Sequence, residues 1–271
     1  MSCAGCESRA IIIVEPPRLP MTEKIRPQRE RLDRALVSRG LVASREDAAR
    51  LILAGLVRVD GVVIDKAAKP TLPESLVEVT GPSSPYVGRG GEKLAGALDR
   101  FQLDPAGMIC LDVGCSTGGF TDCLLQRGAT RVYAVDVGYG QFEWRLRQDP
   151  RVVLMERTNV RYLEPGAIPE PIDLIVIDVS FISLTLVLPS VIAFLAAAGS
   201  IITLIKPQFE VGKGLVGRGG IVRDDGLREA TVEKVAGCAV HLGLELAGRM
   251  ESPIEGRKGN REFLAWFRRP R

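Results

Sequence analysis

The run Ile172-Asp173-Leu174-Ile175-Val176-Ile177-Asp178-Val179 constrains this chain more than any other stretch. It is apolar at nearly every position rather than at every second one. A strand built from it must therefore be covered on both faces, which is the situation inside a parallel sheet flanked by helices. The sequence from residue 108 onward fits that frame. Strands are expected at Met108–Val113, Arg131–Val137, Val152–Met155, Ile172–Val179 and Ser200–Ile205. Helices are expected from about 92 to 101, 120 to 126 and 226 to 242, and the segments 244–252 and 261–268 read as a closing antiparallel pair. Strands alternating with helices imply an α/β, doubly wound sheet.

The part before residue 82 follows another rule. Leu32, Leu36 and Val37 recur at helical spacing, and Ser44 before Arg45-Glu46-Asp47 reads as a helix N-cap with acids in the first turn. Two β-rich runs, Val57–Val59 and Val62–Ile64, flank Asp60-Gly61, a hairpin signal. These residues describe a compact α+β module over 27–81. Residues 1–26, with Pro16, Pro17 and Pro20, read as a flexible tail, and 82–89 as a linker. The second domain is then 90–271.

Composition excludes little. A net charge of +3 permits a nucleic-acid partner without demanding one. Cys3 and Cys6 form a lone CxxC, and the other four of the six cysteines lie singly, as free thiols do in a reducing cytoplasm. No metal site is expected. The run Ile11–Val14 is too short for the core of a secretory signal. Phe181 to Ala198 carries no charge and approaches membrane-span length, but Pro189, Ser183, Thr185 and Ser190 interrupt it. It is expected to be a buried crossover helix, without stable membrane association.

The chemistry-bearing residues gather at strand ends. Leu111-Asp112-Val113-Gly114-Cys115-Ser116-Thr117-Gly118-Gly119-Phe120 closes one strand and opens a helix, with glycines that let a ligand approach the backbone. Asp136 ends the next strand about 20 residues on, where a carboxylate can bind a ribose diol. This pair of features points to a nucleoside-containing cofactor without choosing between NAD and S-adenosylmethionine. The loop itself does not spell G-x-G-x-x-G, and it lacks a P-loop lysine. Asp178 and Lys206 end two further core strands. They read as a structural salt bridge or as a functional pair beside the cofactor. Gly212–Gly220 is a flexible basic loop, a lid or an ordinary solvated loop. The single histidine, His241, reads as structural, which argues against Ser–His or Cys–His chemistry.

From about residue 28 onward the chain resembles the TlyA family, formerly called haemolysins and understood as 2′-O-methyltransferases of ribosomal RNA cytidines. Arg31-Leu32-Asp33, Arg39-Gly40-Leu41, Ser44-Arg45 and Gly55 through Gly61 resemble an S4 RNA-binding domain. Ser116–Asp122, Asp136–Gly140, Ile177–Ser183 and Lys206-Pro207-Gln208-Phe209-Glu210 resemble an FtsJ-like Rossmann methyltransferase. The resemblance implies a mostly parallel seven-stranded sheet preceded by the S4 module, with S-adenosyl-L-methionine as cofactor. It implies a Lys-Asp-Lys-Glu tetrad at Lys93, Asp178, Lys206 and Glu262. Cofactor contacts are implied at Asp112, Gly114, Ser116, Thr117, Gly118, Gly119, Phe120, Asp136, Val137, Asn159 and Asp178. Gly88 and Cys115 depart from the Ser and Ala frequent in related sequences. Ribosomal RNA is the implied partner, in a cytoplasmic enzyme whose oligomeric state stays open. Between residues 26 and 58 eight arginines face four acids, and Arg29, Arg31, Arg34, Arg39, Arg45, Arg50 and Arg58 are the candidate RNA contacts. The rival readings are an NAD-linked oxidoreductase, a membrane-active cytolysin and an inactive ribosome-binding protein.

Overall fold

The computed structural model describes residues 11–14, 29–42, 45–80, 85–212, 214–256 and 259–270, divided into two compact units at Pro85/Tyr86. In the first unit, β1 (Ile11–Val14) and β2 (Glu30–Arg31) precede helices α1 (Leu32–Ser38) and α2 (Arg45–Leu53). Strands β3 (Val57–Val59), β4 (Val62–Val63), β5 (Pro70–Thr71) and β6 (Val77–Thr80) follow. The hairpin falls where the sequence places it. Asp60 and Gly61 both have positive φ, 51° and 77°, the conformation of a two-residue turn that matches strand twist. Leu32, Leu36, Ala48, Ile52, Val57 and Val77 meet in one core. Ser44, the expected N-cap, lies outside the described residues.

One expectation fails in this unit. Residues 11–14 do not belong to a structureless tail: they form a strand paired antiparallel with β6, Ile11 opposite Thr80 and Val14 opposite Val77. Four β-branched residues in a row suit an extended backbone, and β6 offers them an open edge. The four-stranded order is β1-β6-β3-β4. The rest of the expected tail lies outside the described residues.

The second unit opens with α3 (Arg89–Phe101), β7 (Ile109–Val113), α4 (Gly119–Gln126), β8 (Arg131–Val135), α5 (Trp144–Arg147) and β9 (Val152–Met155). It continues with β10 (Ile172–Ile177), α6 (Leu188–Val191), β11 (Leu195–Ile205), α7 (Pro207–Glu210), α8 (Asp225–His241), β12 (Glu245–Glu251) and β13 (Phe263–Arg268). The sheet order is β12-β13-β11-β10-β7-β8-β9. The strands from β11 to β9 are parallel, and β13 runs antiparallel between β11 and β12. Strand β10 shows why its sequence lacks alternation. Ile175 and Ile177 enter the core on one face with Val232 and Val235 of α8, while Leu174 and Val176 enter the other with Leu94 of α3 and Leu124 of α4.

Two further expectations are corrected. The stretch 181–198 is not a crossover helix. It breaks into short turns at 184–186, 188–191 and 192–194, and β11 begins at Leu195, five residues early. Pro189 and the hydroxyl residues favour turns over a continuous helix. Among the described residues no helix is long and apolar enough to cross a membrane. The expected linker 82–89 also reaches too far. Tyr86 and Val87 pack against the second unit's core, and Val87 N–H donates to Asp122 Oδ2 at 2.8 Å. Residues 81–84 lie outside the described set.

Candidate active site

The chain enters its large sheet at β7, winds outward through β8 and β9, and returns to the other side of β7 at β10. The order therefore reverses between β7 and β10, and in such sheets the crevice beyond the carboxyl ends at this point receives ligands. Gly114 closes β7 there, with φ 85°. A β-carbon on it would stand 2.5 Å from the carbonyl oxygen of Asp178, so only glycine lets the two strand ends lie this close. Gly118, φ 96°, would meet Leu146 Cδ1 at 2.6 Å. Ser116 also has positive φ, 49°, a costly conformation for serine.

Asp136, just past β8, holds this loop. Its two oxygens accept from Ser116 N–H at 2.8 Å and Gly138 N–H at 2.7 Å. Asp112, on β7, is fully buried. Thr121 Oγ1 donates to its Oδ2 at 2.6 Å, and its Oδ1 is a buried atom with no hydrogen-bond partner among the described residues. Burial pushes its carboxyl up to about 7, and the charges of Asp178 and Asp136 add to the shift. The crevice is thus lined by Asp136, Asp178 and backbone, while Asp112 is fully buried.

The four tetrad candidates form two ion pairs. Lys206 Nζ lies 2.5 Å from Asp178 Oδ1 and donates to Ser180 Oγ at 3.0 Å. Lys93 Nζ donates to Glu262 Oε2 at 2.5 Å, with both side chains nearly covered. Asp178 follows β10, and Lys206 follows β11. Glu262 directly precedes β13, and the pairing of Ile205 with Phe263 sets Lys206 and Glu262 at the next position outward on neighbouring strands. Lys93 comes from α3. On the same helix face, one turn earlier, a β-carbon at Gly90 would lie 3.8 Å from Asp178 Oδ2. Side chains separated by up to 169 residues thus converge at one end of the sheet.

Other candidates lie elsewhere or serve the fold. Phe120 is buried in the core beneath the loop, so its ring offers no face to a ligand. Thr117 and Gly119 pack under the segment before α3: Thr117 Oγ1 would lie 2.9 Å from a β-carbon at Gly88, and Gly119 abuts Gly91. Val137 is exposed beside Asp136, and Asn159 is exposed with its side chain accepting from Arg161 N–H at 3.1 Å. Among the arginines, Arg31 and Arg45 both grip the buried Asp33 at 2.9 Å, and Arg39 donates to the carbonyls of Leu72, Pro73 and Ser75. Arg58 donates to Gly61 O, while Arg29, Arg34 and Arg50 are exposed. His241 binds its own helix at Gly237 O.

Cysteine chemistry has no support at this site. Burial raises the Cys110 thiol to about 12 and the Cys123 thiol to about 11. Among the described residues no cluster of His, Cys, Asp or Glu could hold a metal. Cys3, Cys6 and Lys213 lie outside the described residues. Sequence reasoning did not single out Phe181. It is 90% exposed, has φ 65° and tilts against Phe209 at 5.0 Å, just past Asp178. An exposed aromatic in a strained backbone at a strand mouth is a signal only coordinates reveal.

Residues 86–269 match the FtsJ-like methyltransferase family, and residues 30–76 match the S4 domain. The chain is 51% identical over 245 residues to a Mycobacterium tuberculosis protein named 16S/23S rRNA (cytidine-2'-O)-methyltransferase TlyA, covering 89% of this chain and 90% of that one. It is 44% identical to Hemolysin A of Brachyspira hyodysenteriae, over 88% of this chain and 99% of that one. A solved Streptococcus thermophilus structure that carries a hemolysin name matches with TM-score 0.70 and 44% identity over 89% of each chain. An S-adenosylmethionine dependent methyltransferase from Mesorhizobium loti shares the fold at TM-score 0.51 and 16% identity, over 67% of this chain and all of that one.

Proposed function

The chain belongs to the FtsJ-like methyltransferase family, and we propose that it moves a methyl group from S-adenosylmethionine to the ribose 2′-oxygen of a cytidine in ribosomal RNA. The observation that carries this reading is the meeting of two lysine–carboxylate pairs at the carboxyl ends of β10 and β11, beside Gly114.

The residues of the crevice suit this cofactor. Asp136 stands at the end of β8, where a ribose diol is bound in such folds. The backbone of Gly114, Ser116 and Gly118 offers close approach. Two carboxylates, Asp136 and Asp178, favour a ligand with positive charge. They would repel the pyrophosphate of a dinucleotide, which disfavours the NAD reading. When bound, S-adenosylmethionine supplies an electrophilic methyl group on a sulfonium.

The chain's own residues do the rest. A 2′-hydroxyl is a weak nucleophile, and a fixed cation stabilises the charge that grows on its oxygen as its proton passes to solvent water. Lys206 is that cation, aimed by Asp178 and Ser180. The covered Lys93–Glu262 pair gives the neighbouring wall a fixed shape, so that oxygen, methyl carbon and sulfur line up. Phe181 offers an exposed ring face on which a base turned out of its helix can stack. The S4 unit contributes phosphate contacts through its exposed arginines Arg29 and Arg34. The name of the Mycobacterium tuberculosis relative agrees with this reading.

The test is to incubate the purified chain with isolated small and large ribosomal subunits and methyl-labelled cofactor, then map the product by nuclease digestion. Label at a cytidine 2′-oxygen supports the reading. Absence of label on both subunits, with the cofactor demonstrably bound, sinks it.

A further inference from the structure

Asp178 and Lys206 leave neighbouring strands and enter separate loops, 178–183 and 206–211. Their pairing needs those loops to keep a fixed spacing. Three of the contacts that bridge the loops lie at the open mouth: Lys206 with Asp178, Lys206 with Ser180, and the ring of Phe181 against Phe209. The fourth lies beneath them and is buried. Glu210, at the end of α7, accepts from Ser183 Oγ at 2.5 Å and from Leu184 N–H at 2.7 Å. On its far side Lys234 of α8 donates to Glu210 Oε2 at 3.3 Å and to its carbonyl at 2.8 Å. The side chain is almost wholly covered, 2% exposed.

A buried carboxylate is costly unless its acceptors are filled, so a charge in this place is unfavourable except as a tie between its partners. Glu210 has three such partners on two elements, and it stands four residues after Lys206. Neither the tetrad nor the cofactor loop uses it.

We propose that Glu210 is a positioning residue for the methyl transfer. It locks the loop after β10 to the loop after β11 and so sets the spacing of Asp178 and Lys206. It touches neither substrate nor cofactor. This inference rests on the reading of Lys206 given above.

The test uses the full chain with Glu210→Ala, Glu210→Gln and Ser183→Ala. Gln keeps an acceptor for Leu184 and can bond Ser183, so it should rescue the geometry. Ser183→Ala removes the tie to Glu210 together with the Ser183 cap on Thr185 N–H, without leaving a large buried hole, and serves if Glu210→Ala does not fold. In Glu210→Ala, kcat falls about 100-fold, as misplacement of a reacting group by about 1 Å does, with the cofactor Kd within about twofold of the parent. The pH profile of kcat shifts with it, and Glu210→Gln restores both. Ser183→Ala gives a smaller change in the same direction.

A second readout does not depend on activity. The rate at which a small acylating reagent modifies Lys206, followed by mass spectrometry, rises in Glu210→Ala and returns in Glu210→Gln, while Lys66 of the first unit is unaffected. Unchanged Lys206 reactivity in Glu210→Ala overturns the inference. So does a loss of kcat that only tracks the fraction of molecules able to bind cofactor, with the pH profile unmoved. If the parent chain methylates no ribosomal RNA, the functional reading fails, and the reactivity of Lys206 still decides whether Glu210 sets its surroundings.

Discussion

The two units use charge in opposite ways. In residues 29–80 much of the arginine excess is spent on the fold. Arg31 and Arg45 hold Asp33, and Arg39 caps the carbonyls of the 72–75 turn. In residues 86–270 charge is collected at one end of a sheet, where Lys206 pairs with Asp178 and Lys93 with Glu262. The lesson is that a basic count indicates binding only after the structural arginines are set aside. Of the seven candidates in the first unit, Arg29 and Arg34 best fit an open contact surface.

The contrast is sharpest for loss of Lys206. Lys206→Ala should lower methyl transfer by about 1,000-fold, the scale of removing one preorganised donor from a developing charge. Its thermal midpoint should stay near that of the parent, because the Asp178 it leaves behind can reach water at the crevice mouth. Activity within tenfold of the parent would break the comparison.

Lys93→Ala should behave in reverse as a stability variant. It strands the covered Glu262, a loss of about 3–5 kcal/mol for one partner of a buried pair. Scanning calorimetry should show the second unit's transition lowered by about 10 °C. A midpoint equal to that of Lys206→Ala would erase the distinction between the two pairs.

In the first unit, Arg39→Ala leaves three carbonyls short of a charged donor and should cost about 2 kcal/mol. Arg34→Ala should change stability by less than about 0.5 kcal/mol. It should instead weaken RNA binding and lower the salt slope by about one. Denaturant titration and salt-dependent binding separate these outcomes.

Two further effects concern pH and have opposite signs. Hydrogen bonds from Arg31 first, and then Arg45, hold the Asp33 carboxyl well below the usual range. Its contribution is therefore full above the ordinary carboxylate value of about 3.9 and is lost as pH falls toward its folded value. Asp112 is raised to about 7 by burial, so the fold favours its protonated form. That contribution is full below about 3.9 and is lost as pH rises through about 7. Asp33→Asn should flatten the acid limb of unfolding, and Asp112→Asn the neutral limb. Identical limbs in parent and variants would refute these assignments.

Much was legible in the chain itself. The strands at 109–113, 131–135, 152–155 and 172–177 follow from apolar runs, and the Asp60-Gly61 turn follows from its residue types. The Gly-rich loop and Asp136 were placed at strand ends by local pattern. The errors share a cause. Leu195–Gly199 is small and apolar, which suits a helix as well as a strand, and pairing beside β10 decided it. Ile11–Val14 found its partner more than sixty residues away. Arg39 read as a surface cation because the turn it caps lies more than thirty residues on.

By itself the sequence determined most of the strands, helices and turns, because those choices depend largely on side-chain periodicity over ten residues or so. Which lysine meets which carboxylate was decided only by tertiary structure. Lys93 and Glu262 are 169 positions apart, and strand order and register bring them together. No local pattern carries that information, since the free energy of such a pair depends on the burial and neighbours that the completed sheet supplies.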